Sequence, residues 1–107
     1  MVHKLCEFYK KIYLLSAQIS KRDKFGIYVK IENIVLEIMD LSINASLETK
    51  SNKFSLLNPV RIKIEVLKRL FRVAHELNII KQKKYIELEL DLQELSKMTN
   101  GWIKYLC

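Results

Sequence analysis

Apolar residues return every three or four positions along most of this chain, the spacing that gives an α-helix one buried face. Over residues 3–19, Leu5, Phe8, Tyr9, Ile12, Leu15, Ala17 and Ile19 keep that spacing, with Lys4, Glu7, Lys10, Lys11 and Gln18 between them. The pattern predicts an amphipathic first helix. The stretch SKRDKFG, residues 20–26, is polar and ends in Gly, so it predicts a connection, with a second helix from near Phe25 to about Leu47. On that helix Lys30, Asn33, Glu37, Asp40, Asn44 and Glu48 make one narrow polar strip in an otherwise apolar wheel. Glu32 stands apart, beside Leu36, Met39 and Ile43, where a bare carboxylate is costly; a structural salt bridge is expected for it rather than acid catalysis.

The polar ETKSNK, residues 48–53, predicts the second connection. Asn58 followed by Pro59 then predicts a helix start, because an Asn side chain caps well and a Pro in the first turn loses no hydrogen bond. A third helix is therefore expected over 59–78. On it Arg61, Glu65, Lys68, Arg69, Arg72, His75 and Glu76 share an arc of roughly 120°, and apolar residues fill the rest. Within the last segment, YIELELDLQEL alternates like a half-buried strand, but Leu, Glu, Gln and Lys are helix formers. Tyr85, Leu88, Leu92, Leu95, Thr99, Trp102 and Leu106 carry the three-four spacing onward and predict a fourth helix over 81–106. Four helices with short links predict an all-α, antiparallel up-down four-helix bundle, one domain over 1–107. The apolar arcs of helices two and three are wider than one core needs, which predicts self-association into a homo-oligomer.

Composition sharpens this picture. With only two Gly and one Pro, the chain lacks the turn formers of sandwiches and barrels. No apolar run approaches the ~18 residues that span a bilayer, and charge interrupts the N-terminal MVHKLCEFYKK too often for a signal peptide; a cytoplasmic location with no membrane partner is expected. Cys6 and Cys107 have neither disulfide-framework nor metal-ligand spacing and read as reduced thiols.

The net charge is +7 and it is uneven: +4 over residues 1–24, −3 over 25–48 and +3 over 58–80. Lys10 and Lys11 on the first helix, Lys21, Arg22 and Lys24 in the first connection, Arg61, Lys68, Arg69 and Arg72 on the third helix, and Lys81, Lys83 and Lys84 before the fourth form a candidate polyanion surface. A solubilising face is the plain alternative. No base-reading module is present.

Little here supports catalysis. His3 and His75 have no ligand partner at helical spacing, and no Cys-x-x-Cys, phosphate loop or Gly-x-Ser-x-Gly occurs. His75 is expected to be solvated or hydrogen-bonded rather than a general base. Glu87, Glu89, Asp91 and Glu94 are expected to solvate a face rather than hold a hard cation. Neither enzyme activity, metal, cofactor nor small-molecule substrate is expected.

Residues 67–104, LKRLFRVAHELNIIKQKKYIELELDLQELSKMTNGWIK, resemble the second half of the accessory variability determinant proteins of diversity-generating retroelements. Lys68 and Arg72 match the family's two basic positions, Glu76 its acidic one and Tyr85 its aromatic one. Glu94, Lys97, Met98, Gly101 and Trp102 match its terminal signature, and KRDKFGIYVKI matches the lead-in to its second helix. The resemblance implies a bundle that forms a ring-like homopentamer, binds the reverse transcriptase, template RNA and cDNA, and supports mutagenic retrohoming without catalysing it. Tyr85, Met98, Gly101 and Trp102 would then serve packing and assembly. Gly101 would let another helix or subunit approach, with Trp102 as an anchor beside it, or Trp102 would simply plug one monomer's core. The chain departs from the family in lacking Phe-Pro before helix two, in Asn100 and Ser96 for glycines, and in Lys68 for Arg. The proteins encoded in intervening sequences of bacterial ribosomal RNA genes resemble the same bundle, which leaves a self-assembling protein of structural or unknown role as the alternative.

Overall fold

In the computed structural model, which describes residues 1–106, every long element is a helix and no strand occurs among the described residues. The elements are α1 (Val2–Leu15), a 3-10 turn (Ser16–Gln18), α2 (Lys21–Lys24), α3 (Ile27–Leu47), α4 (Lys50–Glu76) and α5 (Gln82–Leu106). Cys107 lies outside the described residues.

The side-chain pairs between helices fix an antiparallel order. The Tyr28 hydroxyl donates to the Ile12 carbonyl, so the start of α3 meets the end of α1. Glu37 of α3 takes Lys63 of α4 at 2.6 Å. Lys4 reaches Glu94 and Lys11 reaches Glu87, which runs α5 against α1, and Lys53 over Trp102 runs it against α4. Each helix therefore borders two others, and α1, α3, α4 and α5 enclose one core in a molecule with extents of 43 × 21 × 19 Å.

That core is built from the predicted stripes. Leu5, Phe8 and Ile12 face Tyr28, Ile31 and Val35, and behind them lie Ile64, Leu67 and Phe71 of α4 and Leu88, Leu92 and Leu95 of α5. Phe8 and Phe71 meet edge to face, with centroids 6.2 Å apart, the arrangement ring quadrupoles favour. Thr99, fully buried, satisfies its hydroxyl on the Leu95 carbonyl at 2.8 Å.

Three expectations are corrected. The third long helix does not begin at Asn58–Pro59: α4 starts at Lys50 after Thr49, and Pro59 sits inside it. The second connection thus shrinks to Glu48–Thr49, and ETKSNK is mostly helix. Burial decides this. Leu57 is fully buried, which rewards helix on the N-terminal side of the proline, and the freed Ser55 carbonyl lies on an exposed residue where water can satisfy it. The Asn58 side chain caps nothing; its oxygen accepts from Arg61 Nη2 at 2.8 Å.

The first connection holds a further turn of helix, α2, whose start is capped by Ser20: its Oγ accepts from the Asp23 backbone N–H at 3.3 Å. The long helices it joins end earlier and begin later than predicted, at Leu15 and Ile27. Between α4 and α5, Asn78 takes φ 60°, the left-handed conformation Asn tolerates just past a helix end.

Glu32 forms no salt bridge among the described residues. Of its neighbours on that side Met39 packs against the core, but Leu36 and Ile43 are each 42% exposed, so the side is half open to water and no partner is required.

Candidate functional site

The up-down order sends both basic connections to one end of the bundle. α1 and α4 finish there, and α3 and α5 begin there. Lys21, Arg22 and Lys24 on α2 are exposed, as are Lys81 and Lys83 before and at the start of α5. None of these five carries an ion pair among the described residues. Lys84, at the same end, is half-buried and pairs with Glu87 at 3.1 Å. The spacing of these lysines along the chain did not show that the two turns meet; the topology does.

The other predicted cations divide. Lys10 points outward and pairs within its own helix with Glu7 at 3.1 Å, and Arg61 is held by Asn58. Arg69 is exposed on α4. Lys11 belongs to a different structure altogether. With Lys4 it crosses to α5, where Asp91 accepts from Lys4 at 3.0 Å and from Lys11 at 2.9 Å. Glu94 and Glu87 complete the seam at 3.1 and 3.3 Å. Three of the four acidic residues expected to solvate a face are therefore ion-paired to α1. The physical reason is register: 87, 91 and 94 lie on one side of α5, and Lys4 and Lys11 stand two turns apart opposite them. Burial pushes the Asp91 carboxyl up, but the hydrogen bonds from Lys11 and Lys4 outweigh it, so it titrates below the usual carboxylate range.

Lys68 and Arg72 line a groove between α4 and α5 together with Tyr85 and Glu89. Lys68 takes Glu65 at 3.2 Å, and Arg72 takes Glu76 at 3.2 Å. Tyr85 is stacked flat on His75, centroids 4.5 Å apart and rings 2° from parallel, and His75 Nδ1 lies 3.1 Å from the Ile80 carbonyl. The expected hydrogen-bonded histidine is thus observed, and its ring holds the aromatic position of the signature in place. Glu89 differs from the rest of its cluster: its Oε1 is buried without a partner, and burial raises its carboxyl although Lys68 and Arg72 pull the other way. Its spacing from Tyr85, one turn away, was the only sequence signal for it.

At the opposite end, Trp102 is half-buried beside Met98, Met1 and Ser46, and the Lys53 ammonium lies 5.7 Å from its ring centroid. Lys50 sits likewise 5.5 Å from the Tyr105 ring. The polar pattern of residues 48–53 places both lysines in a connection, so it gives no sign of these contacts. Gly101 is exposed, and a Cβ there would meet nothing within 4 Å, so no helix of its own chain approaches it. Cys6 is a half-buried free thiol.

Among the described residues no group of three His, Cys, Asp or Glu is placed to hold a metal, and no helix is long and apolar enough to cross a membrane. No curated protein and no solved structure matches the chain. A family profile described as bAvd-like does, over residues 1–106, nearly the whole length of the four-helix architecture set out above. The chain belongs to the bAvd-like family.

Proposed function

We propose that this protein is a noncatalytic accessory protein of a diversity-generating retroelement, which binds template RNA and cDNA through its basic end and holds the reverse transcriptase during mutagenic retrohoming. The observation that carries this reading is the convergence of α2 and the α4–α5 link, with Lys21, Arg22, Lys24, Lys81 and Lys83 unpaired at one end. Cations already neutralised in a fold release few counterions when phosphate arrives; unpaired ones release about one each, which makes this end the favoured phosphate contact. Family membership supplies the class of partner. Assembly into a ring of copies, a pentamer by resemblance, is part of the proposal, supported by exposed apolar residues on α3 and α4, and would gather several basic ends on one platform. A cytoplasmic site of action follows from these partners.

The test is RNA binding by fluorescence anisotropy across a salt series. Reversing Lys21, Arg22 and Lys24 to Glu should weaken binding at least tenfold at low salt and flatten the salt dependence, while Lys97→Glu with Lys104→Glu, toward the other end, should change little. In parallel, the reverse transcriptase of the same retroelement should co-purify with the wild-type chain. Equal effects of the two sets of reversals, or no complex with the enzyme, would defeat the proposal.

A further inference from the structure

Between the two basic connections a cavity of about 540 Å³ opens at the end of the bundle. This lies within the size range of pockets that enclose a small organic group. Its floor is aliphatic: Leu15, Ile19 and Ile80 are buried and Ile79 is half-buried. At its rim stand the exposed ammonium groups of Lys81 and Lys83 and the exposed amide of Gln18. One carboxylate, Glu87, also borders it, but its oxygens are taken by Lys84 at 3.1 Å and Lys11 at 3.3 Å. The local charge available to a ligand is therefore positive.

Three chemical demands meet in this space. The floor favours a flat apolar surface, the rim favours an anion a few ångströms away, and Gln18 can both donate and accept at the edge. A simple anion would leave the floor wet, and an uncharged apolar group would leave the two lysines unused. A nucleotide meets all three, with a base for the floor, a phosphate for the rim and base-edge polar atoms for the amide. A base inside a duplex cannot enter, because its faces are stacked and its edge is paired.

We propose that this cavity receives one unpaired nucleotide of a nucleic-acid strand, its base against Leu15 and Ile79 and its phosphate between Lys81 and Lys83. This rests on the nucleic-acid reading above and goes beyond it: it makes the basic end a reader of single-stranded character. Among the described residues no aromatic ring lines the cavity, so the selectivity comes from hiding the base from water rather than from ring stacking, and it should tolerate any base.

The experiment compares three ligands of about 12 nucleotides on the full chain: a single RNA strand, the matching duplex, and a single strand of abasic nucleotides with the same charge. The single strand should bind about tenfold more tightly than the other two, the scale expected for removing one base face from water. Lys81→Ala with Lys83→Ala should lower the slope of log affinity on log salt by roughly 0.7, the loss of one phosphate contact on a single strand. Gln18→Ala, at an exposed position, should keep the slope and lose part of the preference for bases. A 4-thiouridine strand should crosslink to residues 15–19 or 79–84. Equal affinity for all three ligands, while reversal of Lys21, Arg22 and Lys24 still weakens binding, overturns the pocket and leaves the basic-end reading standing. Binding of none of them at low salt overturns both. Displacement of the single strand's crosslink by oleate, with no loss of RNA affinity, would reassign the cavity to an anionic lipid.

Discussion

Glu89 turns one carboxylate oxygen into the α4–α5 seam, where no described residue donates to it. Lys68 and Arg72 act on it from α4, Glu65 opposes them, and Tyr85 lies one turn away on its own helix. Burial dominates and raises the carboxyl above its ordinary value of 4.5. The folded state therefore binds more protons than the unfolded state between that value and the raised one. Stability should fall as pH rises through this window. Glu89→Gln removes the titration and keeps the shape, so it should stabilise the fold by about 1 kcal/mol at neutral pH and by nearly nothing at about pH 4, where both side chains are neutral. Urea unfolding at the two pH values checks this; a variant less stable than wild type at neutral pH would mean that the carboxylate is paired in solution. The same position shows what sequence reading misses at this scale. Glu87, Glu89, Asp91 and Glu94 look alike along the chain, yet three are ion-paired and one is orphaned, because the partner helix assigns their roles.

Elements were more legible than residues. The long amphipathic stripes of α1, α3 and α5 announced themselves, because a buried face leaves a periodic trace whatever it packs against. The start of α4 did not. Asn58–Pro59 carries a strong local start signal, and only the burial of Leu57 explains why the helix extends past it to Lys50. The basic residues of the candidate site were visible by type, but their gathering at one end required the order of four helices, and the removal of Lys11 from that set required the α1–α5 register. That seam gives its own prediction. Asp91 is buried and accepts from two lysines of α1, so Asp91→Asn leaves Lys4 and Lys11 each short of a partner and should cost about 2 kcal/mol in urea unfolding at pH 7. Because the folded carboxyl titrates below its ordinary value of 3.8, its contribution is present above that value and is lost as pH falls through the folded one. The gap between wild type and variant should therefore close in acid. A gap that persists there would point to packing rather than charge.

At the scale of the molecule, two patches of different make stand out in the surplus apolar surface. Val29, Leu36 and Ile43 recur every seven residues on α3, with Leu47 beyond them. Ile62, Val66, Val73 and Leu77 form a stripe on α4. The polar strip of α3, from Lys30 through Asn33 and Asp40 to Asn44, runs between the two. An isologous dimer would use one patch against its own copy and leave the other bare. Two unlike patches fit a heterologous contact, α3 side to α4 side, which would repeat from copy to copy as the proposed ring requires. This geometry makes an asymmetric prediction. Leu36→Glu with Ile43→Glu spoils one patch, and Val66→Glu with Val73→Glu spoils the other; all four positions are already about two-fifths exposed, so the bundle itself should survive. By sedimentation, wild type should run as a closed oligomer and each variant alone as a monomer. An equal mixture of the two variants should run as a dimer, since one intact patch of each kind remains to form a single joint. If one of the variants assembles as wild type does, the contact is isologous and the other patch is idle. If wild type is itself a monomer at micromolar concentration, the apolar stripes serve another partner, and the basic ends act singly rather than as a platform.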